Sequence, residues 1–423
     1  MTPVNLGWTI LLPVLAATAA AGPALAAADF SVPRLERASM CRGVDGHAAG
    51  FGGRRTFVLD PAQLTATKAA RDSDPAVRAA YAQLIARADA ALARKPGSVM
   101  DKTTIPPSGD RHDYISLGPY WWPDPANPKG PYQRRDGDVN PERDGRRFDR
   151  TALGRMNGDA ATLGLAYYFS DDARYATQAA AVVRAWFLDP ATRMNPNMTH
   201  AQMVPGRADG RPEGVLDTSG MMAVIEAVGL IAPSGALNPD EVRALEAWFG
   251  RYLDWLQSSP NGKGERAARN NHGIWYDAQA MSFALFARRP DVAEKTLLAF
   301  PKTRIATQMT PDGALPAELA RTRSFHYSIY ALAPAYDVAA LGTCLGYDLW
   351  RYADAKGRGL RRATDYLAPY RGRAEAWPGK EMTWPAEALD TLLTRAEAIW
   401  GPGAYPAEAS EAALLQYRPA NPR

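Results

Sequence analysis

An all-α fold is what the sequence predicts, and three observations predict it. From Asp74 onward apolar residues recur at helical spacing in block after block. The strict alternation of a half-buried strand is nearly absent. The periodic blocks, about 12 to 20 residues long, are separated by loops carrying Gly, Pro, Asn and Asp, where helices are expected to stop. No fixed-period repeat is present, which argues against a regular solenoid. What remains is a single domain of ten or more antiparallel helices, either an irregular bundle or an α/α toroid whose hairpins close into a ring.

In chain order, the first segment is "MTPVNLGWTILLPVLAATAAAGPALAAADF", with an apolar run from Trp8 to about Ala21 and then Ala24-Leu25-Ala26. It reads as a secretory signal cleaved after about Ala26, too short and too interrupted by proline to span a bilayer, although its leading residues carry no Lys or Arg. The expected location is the periplasm or the exterior. No later segment approaches the ~20 apolar residues of a membrane span, so no membrane association is expected. Residues 27–55 form an N-terminal arm and 56–415 the helical domain. Within the latter the clearest helical blocks start at Asp74, Arg150, Asp172 and Asn238, with further ones near Ile274, Asp291, Tyr327, Asp348 and Ala386.

The composition is 46% hydrophobic, enough for a sizeable core, and the formal net charge is +4. The basic residues are dispersed, which suits an anionic partner but gives no nucleic-acid patch. No C-x-x-C or H-E-x-x-H spacing occurs, so no metal site and no cofactor is expected. Cys41 and Cys344 are the two cysteines; in an exported chain they can pair or stay apart, and their spacing leaves both open.

Two long loops interrupt the helices. The first, roughly Gly97 to Arg147, carries Tyr114, Tyr120, Trp121, Trp122 and Tyr132, together with Lys129, Arg134, Arg135, Asp136 and Asn140 in the same stretch. A loop of this length without regular structure is usually functional or disordered, and its aromatics argue against disorder. They could plug the core. Alternatively, aromatic faces stack on sugar rings while Arg forks bind carboxylates, and that combination suits an acidic carbohydrate. The second loop, "MNPNMTHAQMVPGRADGRPEGVLDTSG", places His200 and Gln202 among further polar residues.

Two shorter clusters are chemically dense. In "ARNNHGIWYD", residues 268–277, Asn270, Asn271 and His272 stand together. Asparagine competes for backbone hydrogen bonds and prefers helix caps, so one asparagine can be an N-cap with His272 in the first turn. The other reading is an amide and an imidazole aimed at a ligand. In "ELARTRSFHYSIY", Glu318, Arg321, Arg323, His326, Tyr327 and Tyr330 gather where an apolar helix begins near Ser324. That is either a solvated helix face or the rim of a pocket.

Taken in order, "YWWPDP", "KGPYQRRDGDVNPE", "NNHGIWYD" and "ELARTRSFHYS" resemble the alginate-lyase-domain superfamily of polysaccharide lyases, from about Thr56 to Trp400. The resemblance implies an α/α toroid with a deep groove and a catalytic set of Asn271, His272, Arg321 and Tyr327. Family five members of the superfamily show R-G-x-R-A-L-x-Y-H in the last motif. Here Arg321 and Tyr327 are one position closer, and Ser328 stands where that motif has histidine. The shorter "RTRSFHYS" is more similar to family 38, which includes glucuronan and alginate lyases.

The chemistry of that resemblance explains the residue types. β-Elimination on a 4-linked polyuronate removes the C5 proton, neutralises the C6 carboxylate and protonates O4. Asn271, His272 and Arg321 would neutralise the carboxylate in the manner of an oxyanion hole. Tyr327 would be base and acid, given a pKa lowered by its cationic neighbours. Tyr120, Trp121, Trp122, Arg134, Arg135, Asn140, His200, Gln202 and Arg323 are the expected substrate contacts. Two other classes compete: a toroid glycoside hydrolase, which needs two carboxylates flanking the bond and would draw on Asp124, Asp136, Glu142, Asp217 or Glu318, and a noncatalytic polyuronate-binding protein.

Overall fold

A computed structural model describes residues 29–417; the secretory-signal reading of residues 1–26 falls outside them. The helices are α1 (Pro61–Ala70), α2 (Pro75–Leu92), α3 (Arg150–Ser170), α4 (Ala173–Val183), α5 (Met221–Ile231), α6 (Pro239–Ser258), α7 (Pro260–Ala267), α8 (Asn271–Phe286), α9 (Pro290–Phe300), α10 (Ala306–Gln308), α11 (Pro316–Leu319), α12 (Ser324–Cys344), α13 (Leu360–Leu367), α14 (Ala386–Trp400) and α15 (Glu411–Tyr417). Their starts follow capping chemistry. The Asp60 carboxylate accepts from Ala62 and Gln63 N–H, Asp74 does the same for Ala76 and Val77, and Asn238 and Glu241 close a reciprocal box at α6. Each of these caps is followed by proline at the first helical position, where no N–H is needed.

The architecture is an α/α toroid. Helices α3, α5, α8 and α12 pack in succession as the inner wall. Outside them lie α2 and α4 against α3, α6 and α9 against α8, and α13 and α14 against α12. Helix α15 packs on α1, α2 and α14, bringing the end of the chain back to its beginning. The inner helices are buried nearly all round: in α8 only His272 and Trp275 escape full burial, and in α5 only Ala223. A wall helix with neighbours on every side needs no polar face.

Two features differ from the sequence expectation. Short strands exist: β1 (Ile115–Leu117) pairs in parallel with β4 (His200–Met203), and β2 (Trp121–Trp122) pairs antiparallel with β3 (Gln133–Arg134). They stitch the two long loops together and to each other, a pairing too short to leave a periodic signal. In addition, Pro212–Ser234 is long and apolar enough to cross a membrane by composition, with mean hydropathy 1.6, contrary to the expectation that no later segment comes close. Its apolarity reflects the buried inner position of α5.

The arm is bound along the body of the toroid. Arg55 donates to Glu246 Oε1 at 2.5 Å and to the carbonyls of Leu285 and Phe286 at 3.1 and 3.0 Å, covering the end of α8. Leu35 N–H donates to Gly346 O, and Asp348 N–H to Pro33 O. Cys41 and Cys344 are joined as a disulfide across a sequence separation of 303 residues. A crosslink over so long a loop restricts the unfolded chain strongly, so Cys41→Ser is expected to lower unfolding free energy by about 2 to 5 kcal/mol. Equilibrium urea unfolding of oxidised, reduced and Cys41→Ser protein checks this, the last two being expected to coincide.

Candidate active site

Four inner helices begin at one place. Arg150, Gly154 and Asn157 of α3, Ser219 and Gly220 before α5, Asn270 to His272 at α8, and Arg323 to Tyr330 at α12 line a single cavity of about 1050 Å³. The aligned peptide dipoles make helix amino ends favourable for anions. Six arginines, at positions 134, 143, 150, 211, 321 and 323, share this wall with only three carboxylates, Glu213, Asp217 and Glu265. The cavity is therefore built to receive negative charge.

The α8 entrance resolves the Asn-Asn-His question. Asn270 is the N-cap, its side chain accepting from His272 N–H at 3.2 Å. Asn271 is fully buried and held by Glu318, which accepts from its backbone N–H at 2.6 Å and from Nδ2 at 2.8 Å. Among the described residues Glu318 is the one partner of Nδ2, leaving the second N–H of that amide free, and Oδ1 is buried without a partner. His272 donates from Nδ1 to Glu265 Oε1 at 2.7 Å, which leaves Nε2 as the free nitrogen on the cavity wall. Burial alone would lower the His272 pKa, but the adjacent Glu265 outweighs it and holds the imidazole above its ordinary range. Burial raises Glu265 and Glu318 as well.

A buried clamp fixes the approach to this helix. Arg304 makes a two-point ion pair with Asp277 at 2.7 and 3.1 Å, and its other N–H groups take the carbonyls of Ala268 and Arg266 at 2.8 Å each. The turn before Asn270 is thereby tied to the body of α8. Gly273 faces the same guanidinium so closely that a Cβ would lie 2.3 Å from Nη1.

At the α12 entrance, the Tyr327 hydroxyl is hydrogen-bonded to that of Tyr120, and the Arg321 guanidinium lies 3.9 Å from the Tyr327 ring centre. Arg321 also pairs with Asp136 at 2.9 Å, as does Arg134 at 2.7 Å. Burial opposes ionisation of Asp136, yet Arg321, Arg134 and Thr322 hold its carboxyl below the usual range. Tyr327 departs from the expected lowering: burial, then the Tyr120 bond, push its pKa up, and Arg321 offsets this only in part. Aromatic and cationic neighbours were visible in the sequence, whereas the loss of water around the phenol was not. His326 stacks on Tyr330, and burial lowers its pKa.

The structure gathers Asn271, His272, Arg321, Tyr327, Tyr120, Trp121, Arg134, Gln202 and Arg323 on the cavity, but it does not bring four other expected contacts there. Along β2 successive side chains alternate faces, so Trp121 lines the cavity while Trp122 turns away, stacked 5.1 Å from the Arg135 guanidinium and donating to Asp138 O. Asn140 is buried and pins the loop by donating to Trp121 O at 2.8 Å. His200 is buried in β4, its Nδ1 3.3 Å from Asp209 O. Gln202 reaches the cavity with its amide committed to Asp217 and Arg211, at 3.1 and 2.9 Å, and with a left-handed φ of 48° that a non-glycine residue rarely adopts. It therefore aims Arg211, whose guanidinium lies 5.5 Å from the Trp121 ring centre.

A sequence profile of the alginate lyase family matches residues 98–377, a stretch that contains every cavity residue named above. The chain belongs to the alginate lyase family. It is similar to a crystal structure of an alginate lyase from Bacteroides ovatus, with a TM-score of 0.80 at 39% identity over 87% of this chain and 97% of that one. Alginate lyase A1-III from Sphingomonas species A1 shares the fold at 17% identity and TM-score 0.55, covering 86% of this chain and 98% of that one. A histidine-to-alanine variant of A1-III, complexed with tetrasaccharide, gives a TM-score of 0.56 at 17% identity and the same coverage. No curated protein matches the chain.

As an alginate lyase family member the chain is a polysaccharide lyase on a helical toroid, and its least legible residues are those behind the reacting face. Glu265 and Arg304 lie in no motif readable in sequence, and Asp277 closes the Asn-Asn-His motif without its role showing, because each acts across the turn that joins α7 to α8. The only available signal was a glutamate seven residues before the histidine on an otherwise polar helix. With Glu265→Gln the charge that raises His272 is removed, so the imidazole is expected to titrate at lower pH. The chain holds five histidines, few enough for assignment of their ring resonances in an NMR titration, and an unmoved His272 titration would contradict this assignment of cause.

Proposed function

We propose that this polysaccharide lyase cleaves a 4-linked polyuronate, mannuronan or glucuronan, by syn β-elimination with Tyr327 as base and acid. The observation that carries the reading is the placement of the Tyr327 hydroxyl, under Arg321 and beside Tyr120, on the same cavity as Asn271 and His272. The sugar carboxylate lies against the free N–H of Asn271 and Nε2 of His272, with Arg321 adjacent. Glu265 favours the protonated His272 ring, and that form lowers the cost of the enolate that forms when H5 departs. Tyr327 is held protonated in the free protein, so its own proton must move before it can accept H5. That proton passes to water, and the bonded Tyr120 hydroxyl, donating, and the Arg321 guanidinium are the groups placed to stabilise the phenolate left behind. In mannuronate and glucuronate H5 and O4 share a ring face, so the same hydroxyl can return the proton to O4. In guluronate they lie on opposite faces.

A second base candidate rests on a specific observation: His326 lines the same cavity, and its lowered pKa keeps the ring neutral. The hydrolase reading loses support because the carboxylates are engaged. Asp217 receives Tyr114, Ser116 and Gln202, Asp136 is paired with arginines, Glu265 with His272 and Glu318 with Asn271. The Cys41–Cys344 disulfide supports an exported, periplasmic or secreted location, since such bonds persist in oxidising compartments.

Tyr327→Phe keeps the ring and removes the hydroxyl, so it is expected to abolish the ultraviolet absorbance rise from the unsaturated product while leaving folding intact. Asn271→Ala and His272→Ala should each lose about 10²- to 10³-fold in kcat, the usual effect of one missing oxyanion-hole-type donor. Wild-type protein should act on polymannuronate or polyglucuronate and hardly on polyguluronate. Turnover persisting in folded Tyr327→Phe, and lost in His326→Ala, would transfer the base role to His326. Trp121→Ala should raise KM more than it lowers kcat, as expected when uniform binding is lost.

A further inference from the structure

Helix α3 separates two depressions. Arg150, Gly154 and Asn157 face the active-site cavity, while the adjoining face, with Thr151, Arg155 and Asp159, lines a second groove of about 590 Å³. The loop ahead of α3 borders both, since Arg143 lines the cavity and Gly145, Arg146 and Phe148 line the groove. Apolar side chains of Phe148, Met156 and Trp186, all buried, form the inner part of this groove.

The charges around it are unequal in number and in pairing. Five cations line it against two carboxylates, Asp101 and Asp159. Asp159 is paired with Arg94, Asp101 accepts from Ser98 N–H at 2.8 Å, and Lys102 is buried against Asp149 at 3.1 Å. Lys95, Arg146 and Arg155 remain, all exposed and with no side-chain partner among the described residues. They come from three separate segments: the end of the α2 hairpin, the loop before α3, and α3 itself. Some exposed arginines elsewhere do find carboxylates, as Arg174 does with Asp172 and Arg351 with Glu36; what sets these three apart is that they gather around one hollow. Three unpaired like charges around one hollow repel each other, and a bound polyanion relieves that repulsion. Asp144, on the ridge between the two depressions, is paired with Arg150 at 3.3 Å and does not oppose an anion crossing it.

We propose that this groove is a second binding site for the acidic polysaccharide, holding polymer beyond the sugars in the cavity, with uronate carboxylates at Lys95, Arg146 and Arg155. The proposal rests on the substrate class proposed above. The test compares the parent protein with the triple variant Lys95→Gln, Arg146→Gln, Arg155→Gln and with a control, Arg37→Gln, Arg251→Gln, Lys356→Gln, that removes equal charge from other exposed positions. Long polymannuronate and polyglucuronate and a tetrasaccharide of each are the substrates. The groove variant is expected to raise KM for the cleaved polymer about three- to tenfold, the range for a few exposed ion pairs, and to weaken its salt dependence. Its kcat, and its KM for the tetrasaccharide, should match the parent, as should the control throughout. A groove variant that equals the parent on polymer, equals the control, or loses tetrasaccharide binding to the same degree overturns the proposal. If the parent releases no unsaturated product from either polymer, the function reading fails by itself. Retardation of Tyr327→Phe protein in gels containing each polymer then decides the groove: retardation lost with the three cations upholds it, and any other result overturns it.

Discussion

The convergence of four helix amino ends on one cavity is the constraint on which the remaining structure depends. A toroid of antiparallel hairpins places the starts of all its inner helices at the same end of the ring, and each start exposes N–H groups that no helix can satisfy internally. The end therefore carries positive potential before any side chain is considered. Arginines at that end would repel one another and the helix dipoles if they were left alone. Asp136, Asp144 and Glu213 answer Arg321, Arg150 and Arg211 at 2.9, 3.3 and 3.3 Å. These carboxylates hold the guanidinium groups in position and leave the cavity net cationic.

Behind this face runs a layer of buried polar residues whose role is geometric. Glu318 fixes Asn271, Glu265 fixes His272, Arg304 with Asp277 fixes the turn before them, and Asp217 with Gln202 fixes Arg211. Each buried ion or carboxylate is expensive to desolvate and is kept only where its hydrogen bonds are satisfied. An anionic ligand binds a site prepared in this way without having to order it, so less of its binding energy is consumed in reorganisation.

The sequence disclosed the outer layer of this design better than the inner one. Amphipathic helices such as α6, and helix starts such as Asp74 and Asn238, follow local rules and were legible as they stand, whereas the short α1 and its Asp60 cap went unread. The inner wall was legible as helix but not as wall, because α5 and α8 are apolar on all sides and periodicity then carries no direction. Asn271, His272, Arg321 and Tyr327 lie at helix entrances, where polar residues interrupt apolar runs, and so they stood out. His200 and Asn140 stood out equally and proved to be internal fasteners, since polarity in a loop does not tell which way a side chain turns. Between Trp121 and Trp122 only the pleat of a two-residue strand decides, and that depends on pairing with Gln133 and Arg134. The state of Tyr327 was least accessible of all, being set by how much water the assembled cavity excludes.

The bond between Cys41 and Cys344 has a consequence for biogenesis. The arm leaves the ribosome early, but its sulfur partner lies 303 residues later, at the far end of the helix that begins with the Tyr327 motif. Throughout most of synthesis the arm has nothing to be tied to, and the covalent ring can close only after the whole site has been made. Formation of this crosslink thus reports completion: a chain truncated before α12 ends leaves Cys41 without its partner.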